Sequence, residues 1–232
     1  MFSPDDDRSA PLYERYSVEL LGADDAPAPD GQPGDGLTLH TTRGDVSCIL
    51  HRPGDDHGVG VVWAAGARGG FDGPANGLYR DLAVRLAAQG AASLRVNYRH
   101  PANLDESTLD VLCAVWHMAA LGYPRVALVG HSFGGGVVIS ASRYTTHTRG
   151  VAALASQTMG AEDAALLGGR PLLVVHGEAD AVLPLVNAET IIDWAPGPKQ
   201  LVTYPGAGHG LRECADEVRT LLEDWLTHLL LP

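Results

Sequence analysis

The sequence predicts an α/β fold, a mostly parallel central sheet with helices on both faces. Three observations point there. Short apolar runs recur along the chain, helix-period segments separate most of them, and no internal repeat or low-complexity tract suggests another layout. The runs at 59–65, 91–97, 126–130, 151–155, 171–176 and 199–204 read as buried parallel strands, because a strand covered on both faces loses polar–apolar alternation. Helical spacing places helices at about 76–89, 105–121, 133–145, 185–194 and 212–230. Such strand–helix–strand units cross over with a right hand, and ligands bind where the strands end at their carboxyl edges.

Ahead of these units, 37–42 and 46–52 flank Arg43-Gly44-Asp45 and read as a hairpin. Residues 22–36 hold many glycines, prolines and aspartates, so an exposed loop is expected there and not a core element. The chain then divides into an N-terminal arm with its acidic Pro/Gly-rich loop, 1–36, and one α/β domain, 37–232. A domain of this size need not divide further.

Charge and composition exclude several functions. With 28 Asp plus Glu against 16 Lys plus Arg, the net charge of −12 opposes binding to nucleic acid and to anionic membranes. No apolar stretch approaches the roughly 18 residues that a membrane span needs. The start, Met1-Phe2-Ser3-Pro4-Asp5-Asp6-Asp7, is acidic where a secretory signal is basic and then apolar, so a cytoplasmic location is expected. Cys48, Cys113 and Cys214 are odd in number and lack C-x-x-C spacing, which predicts buried thiols and neither disulfides nor a zinc site. The ten histidines form no H-x-x-x-H or H-x-H cluster beside carboxylates, so no metal is expected.

The densest chemical signal is Gly130-His131-Ser132-Phe133-Gly134-Gly135, set between Val126-Ala127-Leu128-Val129 and Val137-Val138-Ile139. A serine between glycines at a strand-to-helix turn is the G-x-S-x-G nucleophile elbow. A turn this sharp strains the serine backbone, and its flanking glycines keep side chains from colliding. The helix start supplies unpaired N–H groups and a positive dipole end, with the Phe133 amide as one oxyanion donor. The competing reading of Ser132 is a simple helix cap.

A serine hydroxyl needs a base, and the base needs an orienting acid. The run Leu172-Leu173-Val174-Val175-His176-Gly177-Glu178-Ala179-Asp180 carries Asp180 just past a strand end, with Glu178 as the rival carboxylate and capping of the next helix as its structural reading. The run Leu201-Val202-Thr203-Tyr204-Pro205-Gly206-Ala207-Gly208-His209-Gly210 carries His209 into a glycine loop free to swing over the sheet edge. Asp180 and His209, each taken alone, read as ordinary surface residues. Together Ser132, Asp180 and His209 follow three separate strands in the chain order Ser…Asp…His.

Over about 37–230 the chain resembles the α/β-hydrolase superfamily, close to its compact, lid-less, dienelactone-hydrolase-like group. The resemblance implies an α/β-hydrolase fold, with Ser132 as nucleophile, His209 as general base and then acid, and Asp180 holding the His209 tautomer. Dienelactone hydrolases proper carry cysteine at the nucleophile position, so lactone specificity does not transfer. Ala64-Ala65-Gly66-Ala67-Arg68-Gly69-Gly70 is similar to the family's H-G-x-x-G turn, with Ala65 where histidine is common. That likeness aligns Ala67 as the second oxyanion donor, with Gly66 the close alternative. The glycines there lack the G-K-[ST] ending of a nucleotide-binding loop.

Only about fifteen residues, Ser156 to Arg170, separate two strands where many relatives insert a lid, so none is expected. Arg68, Phe71, Gln157, Met159, Leu183 and Leu211 fall in loops at the same rim; Arg68, Phe71, Met159 and Leu183 are the candidate substrate-binding residues. Arg68 could attract an anionic acyl group or simply pair with a carboxylate. The resemblance implies a serine hydrolase cleaving carboxylic esters or thioesters of small acyl groups through an acyl-enzyme, without a cofactor. The partner expected is a small-molecule acyl substrate, with no nucleic acid, no membrane and the oligomeric state open. Acyl transfer by the same triad, or binding without catalysis on the same fold, are the alternatives.

Overall fold

In the computed structural model, which describes residues 17–231, the expected strands and helices appear with boundaries shifted by one to three residues at most ends. In chain order the elements are β1 (Leu20–Ala26), β2 (Asp35–Thr41), β3 (Gly44–His51), β4 (Val59–Ala64), α1 (Leu78–Ala88), β5 (Ala92–Asn97), α2 (Leu104–Ala120), β6 (Arg125–His131), α3 (Phe133–Ser142), β7 (Thr148–Leu154), β8 (Leu172–Gly177), α4 (Val186–Trp194), β9 (Lys199–Tyr204) and α5 (Ala215–Leu230). The described strands form one sheet in the order β1-β2-β3-β5-β4-β6-β7-β8-β9. Pairing is antiparallel from β1 to β3 and between β3 and β5, then parallel through to β9.

Alternate residues of each central strand feed two cores. Val59, Val61, Trp63, Ala127, Val129, Leu173 and Val175 join one with Leu78, Leu82 and Leu86 of α1 and Val218, Leu222 and Leu226 of α5. Val62, Ala64, Leu128, Val174 and their neighbours join the other with α2, α3 and Ala188 and Ile191 of α4. Helices therefore cover both faces, which is why these strands read as unbroken apolar runs. The run at 199–204 is the exception. β9 closes the sheet edge, and its Lys199 and Gln200 are exposed.

The segment expected as an exposed loop over 22–36 needs correction. Its first five residues lie in β1, which pairs Ala23 with Leu39 and Asp24 with Thr38. An edge strand with one face in water tolerates glycine and aspartate, because it needs apolar contact on one side only. His40 of β2 bridges Asp24 (3.1 Å) and Asp45 (2.9 Å) and ties those carboxylates down. Only 27–34 remains loop. Residues 1–16 of the expected arm lie outside the described residues.

Between β7 and β8 the chain forms a short 3-10 helix, Glu162–Leu166, and no lid. Cys48, Cys113 and Cys214 are buried free thiols. Among the described residues no helix is long and apolar enough to cross a membrane, and no group of three or more His, Cys, Asp or Glu could hold a metal ion.

Candidate active site

The topology makes one crevice. The chain leaves β4 to form β5 on one side and later returns to form β6 on the other, so the loops after β4 and β6 part at their carboxyl ends. Open α/β sheets bind ligands at this kind of reversal. The elbow follows β6 there. Ser132 takes φ 57° and ψ −117°, a strained conformation for a side chain other than glycine. Its N–H donates to the Leu154 carbonyl (2.8 Å), and its carbonyl accepts from the amides of Gly135 (3.1 Å) and Gln157 (3.3 Å). These bonds hold the strain in place.

Close packing explains the glycines. A Cβ on Gly130 would stand 2.8 Å from the Gly135 nitrogen and closer still to Gly134. A Cβ on Gly134 would collide with the carbonyls of Ala64 and Ala65 at the end of β4. With hydrogen at both positions, the start of α3 sits directly on the β4 terminus.

The three chain-distant groups meet. His209 Nε2 lies 3.0 Å from Ser132 Oγ, and His209 Nδ1 lies 2.8 Å from Asp180 Oδ2. The Asp180 side chain is fully buried, whereas His209 keeps 21% of its side chain exposed, enough to reach solvent. Asp180 does not cap α4. Its Oδ1 accepts from the amides of Val182 (2.8 Å) and Leu183 (2.9 Å), which leaves Oδ2 for His209. Burial opposes ionisation of this carboxyl, but bonds from the Leu183 amide, His209 and the Val182 amide prevail and hold it below the usual carboxylate range. Glu178 turns away to accept from Thr203 Oγ1 (2.8 Å).

The glycine loop around His209 is pinned, not swinging. The Gly210 carbonyl accepts from the Ala75 amide (2.8 Å), the Ala207 carbonyl from Ala179 (2.9 Å), and the Gly208 amide donates to Glu213 Oε2 (3.1 Å). His131, the variable residue of the elbow motif, donates Nε2–H to the His209 carbonyl (3.0 Å) with its ring 4.9 Å from the His209 ring. Burial pushes His131 down to about 4, so it is neutral near pH 7 and acts as a donor.

The loop after β4 is equally fixed. Gly69 N–H donates to the Gly66 carbonyl (2.9 Å), and Gly70 N–H to Asn97 Oδ1 (2.8 Å). Tyr79 and Tyr98 hydroxyls donate to the carbonyls of Ala64 (3.1 Å) and Ala65 (2.9 Å). A Cβ on Gly66 would touch His131 Nδ1 (3.6 Å) and Ser132 Cβ (3.7 Å), so this turn lies beside the serine. Phe133 opens α3, where first-turn amides lack intrahelical partners. Ala67 follows Gly66 in the turn and is exposed.

The four candidate substrate-binding residues are placed unevenly. Leu183 joins the site through its backbone, beside Asp180. The Met159 carbonyl packs against Gly136 of α3, and Met159 is 40% exposed. Arg68 lies exposed on the loop next to Ala67. Phe71 is half-buried and its carbonyl accepts from Arg95 (3.3 Å). Sequence reasoning missed Tyr79, Tyr98, Asn97 and His131 as supports of the site. His131 stood inside the elbow motif and carried a usable signal; the tyrosines and Asn97 carried none.

Sheet order, elbow and missing lid define an α/β hydrolase. A family model described as "Dienelactone hydrolase family" matches residues 81–220, and the chain belongs to that family. Solved structures agree on the fold. An esterase domain of a Rhodothermus marinus protein matches with a TM-score of 0.70 at 18% identity, covering 90% of this chain and 100% of that one. A Xanthomonas campestris α/β serine hydrolase without a lid gives 0.67 at 17%, covering 89% and 99%. A dienelactone hydrolase from Anabaena variabilis gives 0.68 at 17%, covering 90% and 99%. No curated protein matches the chain.

Proposed function

We propose that this hydrolase cleaves carboxylic esters or thioesters of small acyl groups through an acyl-enzyme on Ser132. One observation carries the reading: the unbroken hydrogen-bond chain from Ser132 Oγ to His209 (3.0 Å) to Asp180 (2.8 Å). Both bonds fall in the range of a nucleophile–base–orienter set. His209 Nε2 takes the Ser132 proton as Oγ bonds to the acyl carbon, and the amides of Phe133 and Ala67 receive the oxyanion. The tetrahedral intermediate collapses and expels the alcohol or thiol, which takes the proton from His209. Water then gives its proton to His209, attacks the acyl carbon and releases the acid with Ser132 restored. Asp180 keeps the proton on Nδ1 throughout and stabilises the imidazolium. No cofactor enters this scheme.

Small acyl groups are favoured by the short β7–β8 connection, which carries a 3-10 helix, Glu162–Leu166, and no lid. A fluorophosphonate probe is expected to label Ser132, and Ser132→Ala to abolish both labelling and p-nitrophenyl acetate turnover. Turnover surviving in that variant would overturn the reading.

A further inference from the structure

Asp180 faces two imidazoles. Besides His209 at 2.8 Å, the ring of His176 brings its Nε2 to 3.4 Å from Asp180 Oδ2. The same Nε2 lies 2.9 Å from the Leu183 carbonyl. A carbonyl only accepts, so this nitrogen carries the hydrogen. His176 is the penultimate residue of β8 and is completely buried, while its Nδ1 is buried with no hydrogen-bond partner among the described residues. A buried polar atom without a partner is a cost to folding. The four strand residues before it, Leu172, Leu173, Val174 and Val175, are all apolar and buried. Packing alone would therefore favour another aliphatic side chain at 176. An imidazole stands there instead, directing its Nε2–H at the Asp180–Leu183 turn.

That turn is where the acid is aimed. The Val182 and Leu183 amides hold Asp180 Oδ1, and His176 holds the Leu183 carbonyl while its N–H also faces Oδ2. With Oδ1 anchored by amides and the turn anchored by His176, the carboxylate cannot rotate away from His209 without breaking a bond. We propose that His176 is a positioning residue of the site, bracing the Asp180 turn so that Oδ2 stays directed at His209 Nδ1 as the imidazole gains and loses its proton. The inference rests on the proposed roles of Ser132, His209 and Asp180. His176 touches no substrate in this scheme, so its effect falls on kcat and not on KM.

The test compares His176→Leu and His176→Gln with the parent protein. Leucine fills the space without a donor, while glutamine keeps an N–H that reaches the Leu183 carbonyl. With p-nitrophenyl acetate, His176→Leu is expected to lower kcat by roughly 10²-fold, the usual effect of an angström-scale misplacement, with KM unchanged. His176→Gln is expected to recover most of that loss, and thermal unfolding should show no matching ranking. Proton NMR of the Ser132→Ala protein supplies a readout free of turnover: the downfield His209 Nδ1 proton should shift or broaden with His176→Leu and persist with His176→Gln. Parental kcat in His176→Leu, equal losses in both variants, or an unmoved resonance would each overturn the proposal. Turnover retained in Ser132→Ala alone would instead overturn the reading of the site, which the NMR comparison does not share.

Discussion

Adding one methyl group at Gly134 tests how closely the elbow is built against β4. A Cβ there would stand 2.5 Å from the Ala64 carbonyl oxygen and nearer still to that of Ala65. Both obstacles are backbone, so no side chain can swing aside. Ordinary contact begins at 3.4 Å, so the start of α3 and the end of β4 must separate by at least about 0.9 Å (3.4 − 2.5). One moving part carries Ser132 and the Phe133 amide; the other carries Gly66 and Ala67. A displacement near 1 Å between reacting groups costs about 10²-fold in rate, equivalent to about 2.7 kcal/mol of barrier. Overpacking adds about 1–3 kcal/mol of lost stability. Gly60→Ala is the comparator, because it lies in the same strand at the far end, where its Cβ would meet Met118 Cε and approach the Ala92 carbonyl at 3.1 Å. Turnover of p-nitrophenyl acetate and urea unfolding are measured on both. Both variants should unfold at lower urea, and only Gly134→Ala should lose kcat by about two orders of magnitude. Equal activity in the two would refute the steric account of the elbow.

Further outcomes follow from the same geometry. In Asp180→Asn the Val182 and Leu183 amides will hold the side-chain oxygen, which forces the NH₂ toward His209 and selects the tautomer with Nε2–H facing Ser132. Such a flip removes the base, and kcat should fall by roughly 10⁴-fold with stability little changed; a loss under about tenfold would refute the orientation. Tyr98→Phe strips the donor from the buried Ala65 carbonyl, so about 1–3 kcal/mol of stability and part of the activity should go, read by urea midpoint and kcat. Burial pushes both His131 and His51 from 6.5 down to about 4. Their folded forms bind fewer protons than the unfolded chain, so stability is complete above pH 6.5 and falls as pH drops toward 4, by about 1.4 kcal/mol per pH unit for each proton. Urea midpoints between pH 7 and pH 4.5 should show that slope, and His51→Leu should reduce it; a flat profile would contradict it.

Much of this was legible in the chain because period and order are local signals. Fully buried strands announce themselves as apolar runs, and the glycines around Ser132 mark a turn that no bulkier residue could make. β1 escaped notice because an edge strand with Gly22, Asp24 and Asp25 has the composition of a loop, and what makes it a strand is the partner strand β2. The choice between Asp180 and Glu178 was similarly non-local. Both follow β8, and only the folded turn directs one to His209 and the other to Thr203. Tyr98 and Asn97 support the loop after β4 from the end of a neighbouring strand, at a separation of about thirty residues that no pattern in the sequence spans.

The supports share a logic that explains why so much polar chemistry sits under this crevice. His209, Asp180 and Ala67 stand on loops, which are mobile by default, yet each loop is tied by a donor from a different element: His131 of β6 to the His209 carbonyl, His176 of β8 to the Leu183 carbonyl, Tyr98 beyond β5 to the Ala65 carbonyl. Every tie runs from a buried or half-buried side chain to a backbone oxygen, so it fixes a loop through its main chain. Asp180 Oδ2 then stays directed at His209, the imidazole that also reaches Ser132.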